Sequence, residues 1–279
     1  MDHAPALLLV AHGTRHPQGA EEMGALTGLL RERLGVPVAH AWLEDFARPA
    51  VGQTVGAMAE QGIKRLVSLP LLTLGAGHAK TDVPTLIVEA RAAYPMLEII
   101  HGRVLGLHPA LFALARDRID IVSPRDERSH EVLIVAASGS SDPDANADLA
   151  KAARFLAETT GHRWVEHCFA GVTWPSPDEV LRRVAAAGAK RAVLFSWSLL
   201  AGLLERRVAE LAASVPGLEI VQAGRFGPDP LLANAVTDRY REALEGDVRA
   251  NCDLCCYRVR LPGLGHRVGA PSGGGTRSS

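Results

Sequence analysis

The chain has 279 residues, of which 47% are hydrophobic, 22% charged and 5% aromatic, and its formal net charge is −1. This balance is typical of a globular protein with room for one large domain or two smaller ones. The near-zero charge and the few aromatic residues argue against a nucleic-acid-binding surface, and no apolar run is long enough to span a membrane. The first residues contain no basic leader, so we expect no signal peptide and a cytoplasmic protein.

Apolar strands alternate with amphipathic helices through the first half of the chain. "ALLLVAHG" predicts a buried strand over 6–13, and "AEEMGALTGLLRERLG" predicts a helix over 20–35 that closes on a glycine. Each strand is a nearly continuous apolar run, as expected for a parallel sheet that helices cover on both faces. The elements that follow are predicted strands over 36–43, 63–72 and 97–106 and predicted helices over 50–62, 81–95 and 109–120.

The second half of the chain repeats the order of the first. "EVLIVAASGSSDP" corresponds to "ALLLVAHGTRHP", and Gly62 and Gly188, 126 positions apart, close matching helices. A repeat of this length indicates two homologous α/β domains rather than a solenoid. We predict domains over 1–122 and 131–247, joined through the charged segment Ser123–Glu131 and followed by a cysteine-containing tail over 248–279.

Two histidines follow strands in the first half and have no histidine counterpart in the second. His12 ends the first strand and aligns with Ser138, whereas His78 follows the third strand and, across a one-residue gap, aligns with Leu203. Ligands bind at the carboxyl ends of the strands in open α/β sheets, and a neutral imidazole binds a divalent metal or accepts a proton. Because both histidines are present in only one copy of the repeat, we predict a single active site in the first half. The alternative interpretation is that these are unimportant surface residues that drifted.

A carboxylate in the loop after the second strand is the third candidate metal ligand. The segment "AWLEDFARP" offers Glu44 or Asp45, although acidic residues are also common in loops that bind nothing. Two histidines and one carboxylate leave coordination positions open on a first-row metal, so the metal can be bound and then released.

The turn after the first strand of each half has the features of an anion-binding site. Thr14 and Arg15 precede the first helix, where free backbone N–H groups and the helix dipole favour an anion. Ser138, Ser140 and Ser141 lie in the matching turn of the second half. Helix capping explains the same residues, and the two roles can coexist.

The segments "VAHGTRHPQGAEE" and "LPLLTLGAGHAKTDVP", together with the duplication, resemble the long, two-domain form of the CbiX-type sirohydrochlorin chelatases over nearly the whole chain. The resemblance implies two flavodoxin-like, three-layer chelatase domains with parallel sheets and an active site in the cleft between them. It also implies ATP-independent insertion of Co²⁺ or Fe²⁺ into sirohydrochlorin, in cobalamin or siroheme biosynthesis, with His12 and His78 as catalytic and metal-binding residues. Some members add a glutamate, which aligns with Glu44 from one side of the loop and with Asp45 from the other.

The chemistry that this resemblance implies suits the candidate residues. Insertion removes two pyrrole N–H protons while a hydrated metal loses water, so one histidine can hold the metal and the other can accept a proton. Because the duplication supplies both halves, we expect a monomer whose partner is sirohydrochlorin, with no nucleic acid and no membrane. The donors that we expect for the carboxylates of sirohydrochlorin are Thr14, Arg15, Ser138, Ser140 and Ser141.

The C-terminal tail contains three of the four cysteines of the chain, Cys252, Cys255 and Cys256. Clustered cysteines indicate metal or iron–sulfur ligation in a reducing compartment rather than a disulfide framework. Three thiolates are too few for a four-thiolate site unless Cys168 or another subunit contributes, so a looser metal-binding thiol site is the alternative.

Two other classes of protein match parts of the sequence. A non-catalytic metal or tetrapyrrole carrier on the same scaffold would use the same ligands, and turnover beyond one metal per chain distinguishes the enzyme from it. A histidine phosphatase also has His-Gly after a strand, but it requires an arginine immediately before the histidine, where this chain has Ala11.

Overall fold

The structure is a computed structural model that describes residues 4–44, 46–202, 204, 206–207, 210, 215–246 and 265–269. Contacts divide the chain into two compact units, each of which draws on both halves of the sequence. Unit 1 comprises Met1–Gly13, Thr27–Gly106 and Val236–Ser279, and unit 2 comprises Thr14–Leu26 and Leu107–Ala235. The predicted domain boundaries at 122 and 131 stay a prediction.

The sheet of unit 1 has four parallel strands in the order β2-β1-β3-β4. The central strand β1 is buried along its whole length because it has a neighbour on each side and helices on both faces. The chain leaves β1 for β2 on one side and reaches β3 on the other, so the turns after these three strands lie at one edge of the sheet. The strands are β1 (Ala6–Ala11), β2 (Val38–Trp42), β3 (Arg65–Pro70) and β4 (Glu98–His101).

The helices of the first half follow the strands as the apolar pattern predicts, with one addition. Apolar side chains of the second and third helices, among them Val55 and Ile87, pack in one core cluster with Leu8 and Leu66 of the sheet. A short π-helix, which the sequence did not predict, precedes the third of these helices. The helices are α1 (Pro17–Leu34), α2 (Val51–Glu60), the π-helix (His78–Asp82), α3 (Val83–Ala93) and α4 (Pro109–Val122).

The sheet of unit 2 has the equivalent order, β6-β5-β7-β8, and is also parallel throughout. Its strands are β5 (Glu131–Ala137), β6 (Trp164–Phe169), β7 (Arg191–Ser196) and β8 (Glu219–Gly224). The remaining helices are α5 (Pro143–Thr160), α6 (Pro177–Ala186), α7 (Pro230–Glu245) and a 3-10 turn (Gly265–Arg267).

Equivalent backbone hydrogen bonds show that the strands of the two repeats pair in the same register. Leu71 N donates to Val10 O at 2.7 Å, and Trp197 N donates to Ala136 O at the same distance, 126 positions further along each strand pair. The predicted α/β fold with two parallel sheets is therefore confirmed. None of the described helices combines the length and the apolar content that a bilayer-spanning helix needs.

Candidate metal site

Three side chains from neighbouring strand ends of unit 1 converge on one point. His12 follows β1, Glu44 follows β2, and His78 begins the π-helix after β3. Glu44 Oε1 lies 3.5 Å from His12 Nε2 and 3.9 Å from His78 Nε2, and the two imidazole centroids are 4.6 Å apart. Among the described residues, these three form the group of histidine and acidic side chains whose donor atoms all lie within 4.8 Å of one another.

A glycine after β1 makes the approach of Glu44 possible. Gly13 has a φ of +126°, a conformation that side-chain-bearing residues rarely adopt, and a Cβ atom there would lie only 3.0 Å from Glu44 Cβ. Glu44 N donates to His12 O at 3.0 Å, which fixes the loop after β2 against the turn after β1. The metal-site prediction left Glu44 and Asp45 as alternatives; Glu44 lies in the cluster, and Asp45 is outside the described residues.

The π-helix orients the second imidazole. Val83 N donates to His78 O, the i to i+5 hydrogen bond that defines this helix type. His78 Nδ1 lies 2.6 Å from Asp82 Oδ2, and since a carboxylate accepts hydrogen bonds, Nδ1 is the donor. His78 Nε2 therefore presents its lone pair toward Glu44. Asp82 has no predicted role from the sequence, although its four-residue spacing from His78 is typical of two side chains that meet on one helix face.

The environment of His12 favours its neutral form. Burial lowers the pKa of His12 below its ordinary value of 6.5, and the neighbouring His78 imidazole lowers it further, whereas Glu44 acts in the opposite direction. The side chain is nonetheless 51% exposed, so a ligand can reach it from solvent. A neutral, accessible imidazole is the form that binds a metal or accepts a proton.

The three donors fit a divalent first-row metal ion. Two imidazole nitrogens and a carboxylate oxygen suit cobalt and iron and leave coordination positions for other ligands. An ion about 2.1 Å from each donor needs donor separations below about 4.2 Å. The separations between Glu44 and the two histidines, 3.5 and 3.9 Å, meet that condition.

The residues of unit 2 that are predicted to bind substrate carboxylates differ in solvent exposure. Thr14 Oγ1 donates to Ala201 O at 2.9 Å and accepts from His16 N at 3.1 Å, so its hydroxyl has partners within the protein. Arg15, which follows Thr14, is exposed.

Capping engages Ser140 in the turn after β5. Ser140 Oγ accepts from Asp142 N, and Ser140 N donates to Asn146 Oδ1, each at 3.0 Å. Ser138 and Ser141 are exposed. Within the described part of the chain, the Ser138 hydroxyl makes no hydrogen bond, which leaves it available to a ligand.

A sequence model of the CbiX family matches residues 6–122 and again residues 132–243, so each half of the chain carries the same pattern. The chain belongs to the CbiX family. Its membership agrees with the duplicated sheets and with the single histidine pair in the first repeat.

Relatives in the CbiX family include proteins named for two metals. The chain is 35% identical to a sirohydrochlorin cobaltochelatase of Priestia megaterium over 262 residues, which cover 92% of this chain and 85% of the relative. It is 29% identical to a sirohydrochlorin ferrochelatase of Bacillus subtilis (strain 168) over 241 residues, which cover 85% of this chain and 91% of the relative.

Solved structures agree with this assignment. SirB from Bacillus subtilis with Fe³⁺ is similar with a TM-score of 0.73 and 27% identity, over 89% of this chain and 100% of that chain. SirB from Bacillus subtilis subspecies spizizenii in complex with cobalt is similar with a TM-score of 0.70 and 26% identity, over 88% of this chain and 97% of that chain.

Proposed function

We propose that this CbiX-family chain is a sirohydrochlorin chelatase, a cytoplasmic lyase that inserts Co²⁺ or Fe²⁺ into sirohydrochlorin without ATP, in cobalamin or siroheme biosynthesis. The observation that carries the proposal is the convergence of His12, Glu44 and His78 at the carboxyl edge of the first sheet. The names of the relatives, which cover most of the chain, supply the substrate.

The metal substrate binds first to the three donors. Two neutral imidazoles and one carboxylate displace part of the water shell of the ion and leave positions at which pyrrole nitrogens can replace the remaining waters. The protein ligands must release the ion again, so an open three-donor site suits a substrate metal better than a closed four-donor site.

The histidines also serve the proton balance of the reaction. Each insertion releases two pyrrole protons; a neutral imidazole within reach of the macrocycle accepts one of them, and solvent water takes the other. The hydrogen bond from His78 Nδ1 to Asp82 leaves the Nε2 lone pair of His78 facing the cluster. Burial and the neighbouring His78 lower the pKa of His12, so this imidazole favours its neutral, metal-binding form. We therefore assign metal binding to His12, Glu44 and His78, and proton acceptance to the Nε2 atom of His78 once the ion has passed to the macrocycle.

The carboxylates of sirohydrochlorin need polar partners on the protein. Ser138, Ser141 and Arg15 are exposed and are the stronger candidates. Thr14 and Ser140 take part through their turns, since their hydroxyls already bond to the protein. The active protein is a monomer, because one chain supplies both copies of the repeat.

The cysteine tail is a separate proposal. Cys252, Cys255 and Cys256 lie outside the described residues, and the proposal rests on their clustering alone. Iron and acid-labile sulfide in anaerobically purified protein, lost when Cys252 and Cys255 are changed to Ser, would support an iron–sulfur cluster. Colourless protein without sulfide would leave a thiol site.

The direct test is metal insertion by the purified chain. Sirohydrochlorin and either Co²⁺ or Fe²⁺ are mixed with the protein, and the absorbance change of the macrocycle is followed with time. A chelatase converts many equivalents of sirohydrochlorin per chain, whereas a metal or tetrapyrrole carrier stops after one.

A further inference from the structure

The loop after β6, residues 170–174, exposes two large apolar side chains. Trp174 is 80% exposed and Val172 is 75% exposed. Val172 has a φ of +67° and is, among the described residues, the only non-glycine with a positive φ. A β-branched residue in this region is a strong backbone outlier, and such strain persists where the surrounding structure or a function requires it.

The β6 loop is held firmly although its side chains are exposed. Ala170 N donates to Ala137 O at 2.8 Å, and Thr173 N donates to Gly171 O at 2.7 Å. Gly139, in the turn after β5, packs so closely on this loop that a Cβ atom there would collide with Gly171 O. The apolar pair is therefore presented in a fixed position next to the turn that carries Ser138.

The loop after β6 differs from its counterpart in unit 1, the loop after β2. In unit 1, Leu43 N donates to Ala11 O just as Ala170 N donates to Ala137 O in unit 2. The next residue in unit 1 is Glu44, a member of the candidate metal site, whereas the next residue in unit 2 is Gly171. The second copy of the loop has no metal-binding side chain and carries an exposed tryptophan instead.

We propose that the β6 loop binds the macrocycle of sirohydrochlorin, with the Trp174 indole stacked on the ring and Val172 packed against it; the inference rests on the proposed chelatase function. A broad indole face is complementary to a flat conjugated ring, and two adjacent exposed apolar groups gain by being covered. Ser138 follows β5 next to this loop, and its hydroxyl, which makes no hydrogen bond to a described residue, suits a peripheral carboxylate. A hydrated metal ion gains nothing from such a surface.

The test compares Trp174→Ala with Trp174→Phe, which keeps an aromatic face. Binding of metal-free sirohydrochlorin is titrated by absorbance, and steady-state insertion of Co²⁺ gives KM and kcat. We expect the Kd and the KM of the alanine variant to rise about tenfold while kcat stays within about twofold, and the phenylalanine variant to remain near the wild type. Met96→Ala, which removes an equally exposed side chain from unit 1, is the control and should change neither constant.

A second variant keeps the test valid if Trp174→Ala fails to fold. Val172→Gly removes the apolar side chain and also relieves the positive φ, so it should weaken sirohydrochlorin binding without lowering the thermal midpoint. Unchanged Kd and KM in Trp174→Ala and Val172→Gly, or a loss of kcat alone, overturn the inference. A wild-type chain that binds sirohydrochlorin through Trp174 but inserts no metal overturns the chelatase function and leaves the macrocycle site standing.

Discussion

At the scale of single residues, the candidate metal site depends on how one imidazole is held. The Nδ1 atom of His78 donates to Asp82, and this bond fixes the tautomer that directs Nε2 into the cluster. Carboxylates that orient a metal-binding histidine in this way increase its basicity and limit its rotation. We therefore infer that Asp82 positions His78.

We predict that Asp82→Asn weakens Co²⁺ binding by about 10- to 100-fold and slows insertion, because the amide does not enforce the tautomer that directs Nε2 of His78 into the cluster. Binding is followed by titration with Co²⁺ and activity by absorbance. Glu89→Gln makes the same charge change at an exposed position of α3 and is the control. Equal Co²⁺ affinity in the two variants would show that Asp82 does not position His78.

A second residue-scale prediction concerns stability in acid. The side chain of His162 is fully buried, and burial, followed by the nearby Arg128 guanidinium, lowers its pKa from 6.5 to about 4. His162 therefore binds a proton below about pH 6.5 in the unfolded chain but only below about pH 4 in the folded chain. This histidine's contribution to stability is complete above pH 6.5 and declines as the pH falls toward 4, by about 3 kcal/mol in total.

Urea unfolding at a series of pH values measures this contribution. The wild-type free energy of unfolding should fall between pH 6.5 and 4, and His162→Gln should show a shallower dependence over the same interval. Parallel pH profiles for the two proteins would rule out His162 as the source of the slope.

At the scale of elements, the turn after β1 decides whether Glu44 can join the histidines. We predict that Gly13→Ala lowers metal insertion strongly, because the added Cβ forces Glu44 away and the φ of +126° is unfavourable for alanine. Gly35→Ala, which also lies at positive φ but in open space, is the matched control and should cost about 1 kcal/mol of stability with no loss of insertion. Equal activities in the two variants would contradict this role for Gly13.

The elements also show what the sequence could and could not predict. Apolar runs ending at His12 and preceding His78 correctly predicted strands whose carboxyl ends lie at one sheet edge, since parallel strands share that edge. Alignment left Glu44 and Asp45 open, because the contact of Gly13 with Glu44 depends on the three-dimensional course of the loop. The π-helix escaped prediction because one widened turn leaves no periodic signal, and the role of Asp82 was missed with it.

At the scale of the whole molecule, the duplication was visible in the sequence because the matched glycines keep a constant offset. The structure adds how the two copies have diverged. The strand-end positions of His12 and Glu44 correspond to Ser138 and Gly171, so the second sheet retains the scaffold without these candidate metal ligands. The division of the chain into units had no sequence signal, since each unit combines segments that are distant in the chain.

We predict one metal-binding site per chain once the tail thiols are removed. In a variant with Cys252, Cys255 and Cys256 changed to Ser, titration with Co²⁺ should saturate at one equivalent, and adding His12→Ala should abolish that binding. The reason is that only the first sheet, within the described residues, brings three metal-binding side chains together. Two equivalent sites in the serine variant would contradict the single-site account.

The measurement that tests the central claim most directly is steady-state insertion of Co²⁺ into sirohydrochlorin by the wild type, His12→Ala and His78→Ala. His12 directly follows β1, His78 begins the π-helix, and both lie outside the buried core, so both variants should retain a wild-type circular dichroism spectrum. We predict many turnovers per chain for the wild type and a rate near that of the uncatalysed reaction for each variant. Near-normal turnover in either folded variant would contradict the assignment of the reaction to this cluster.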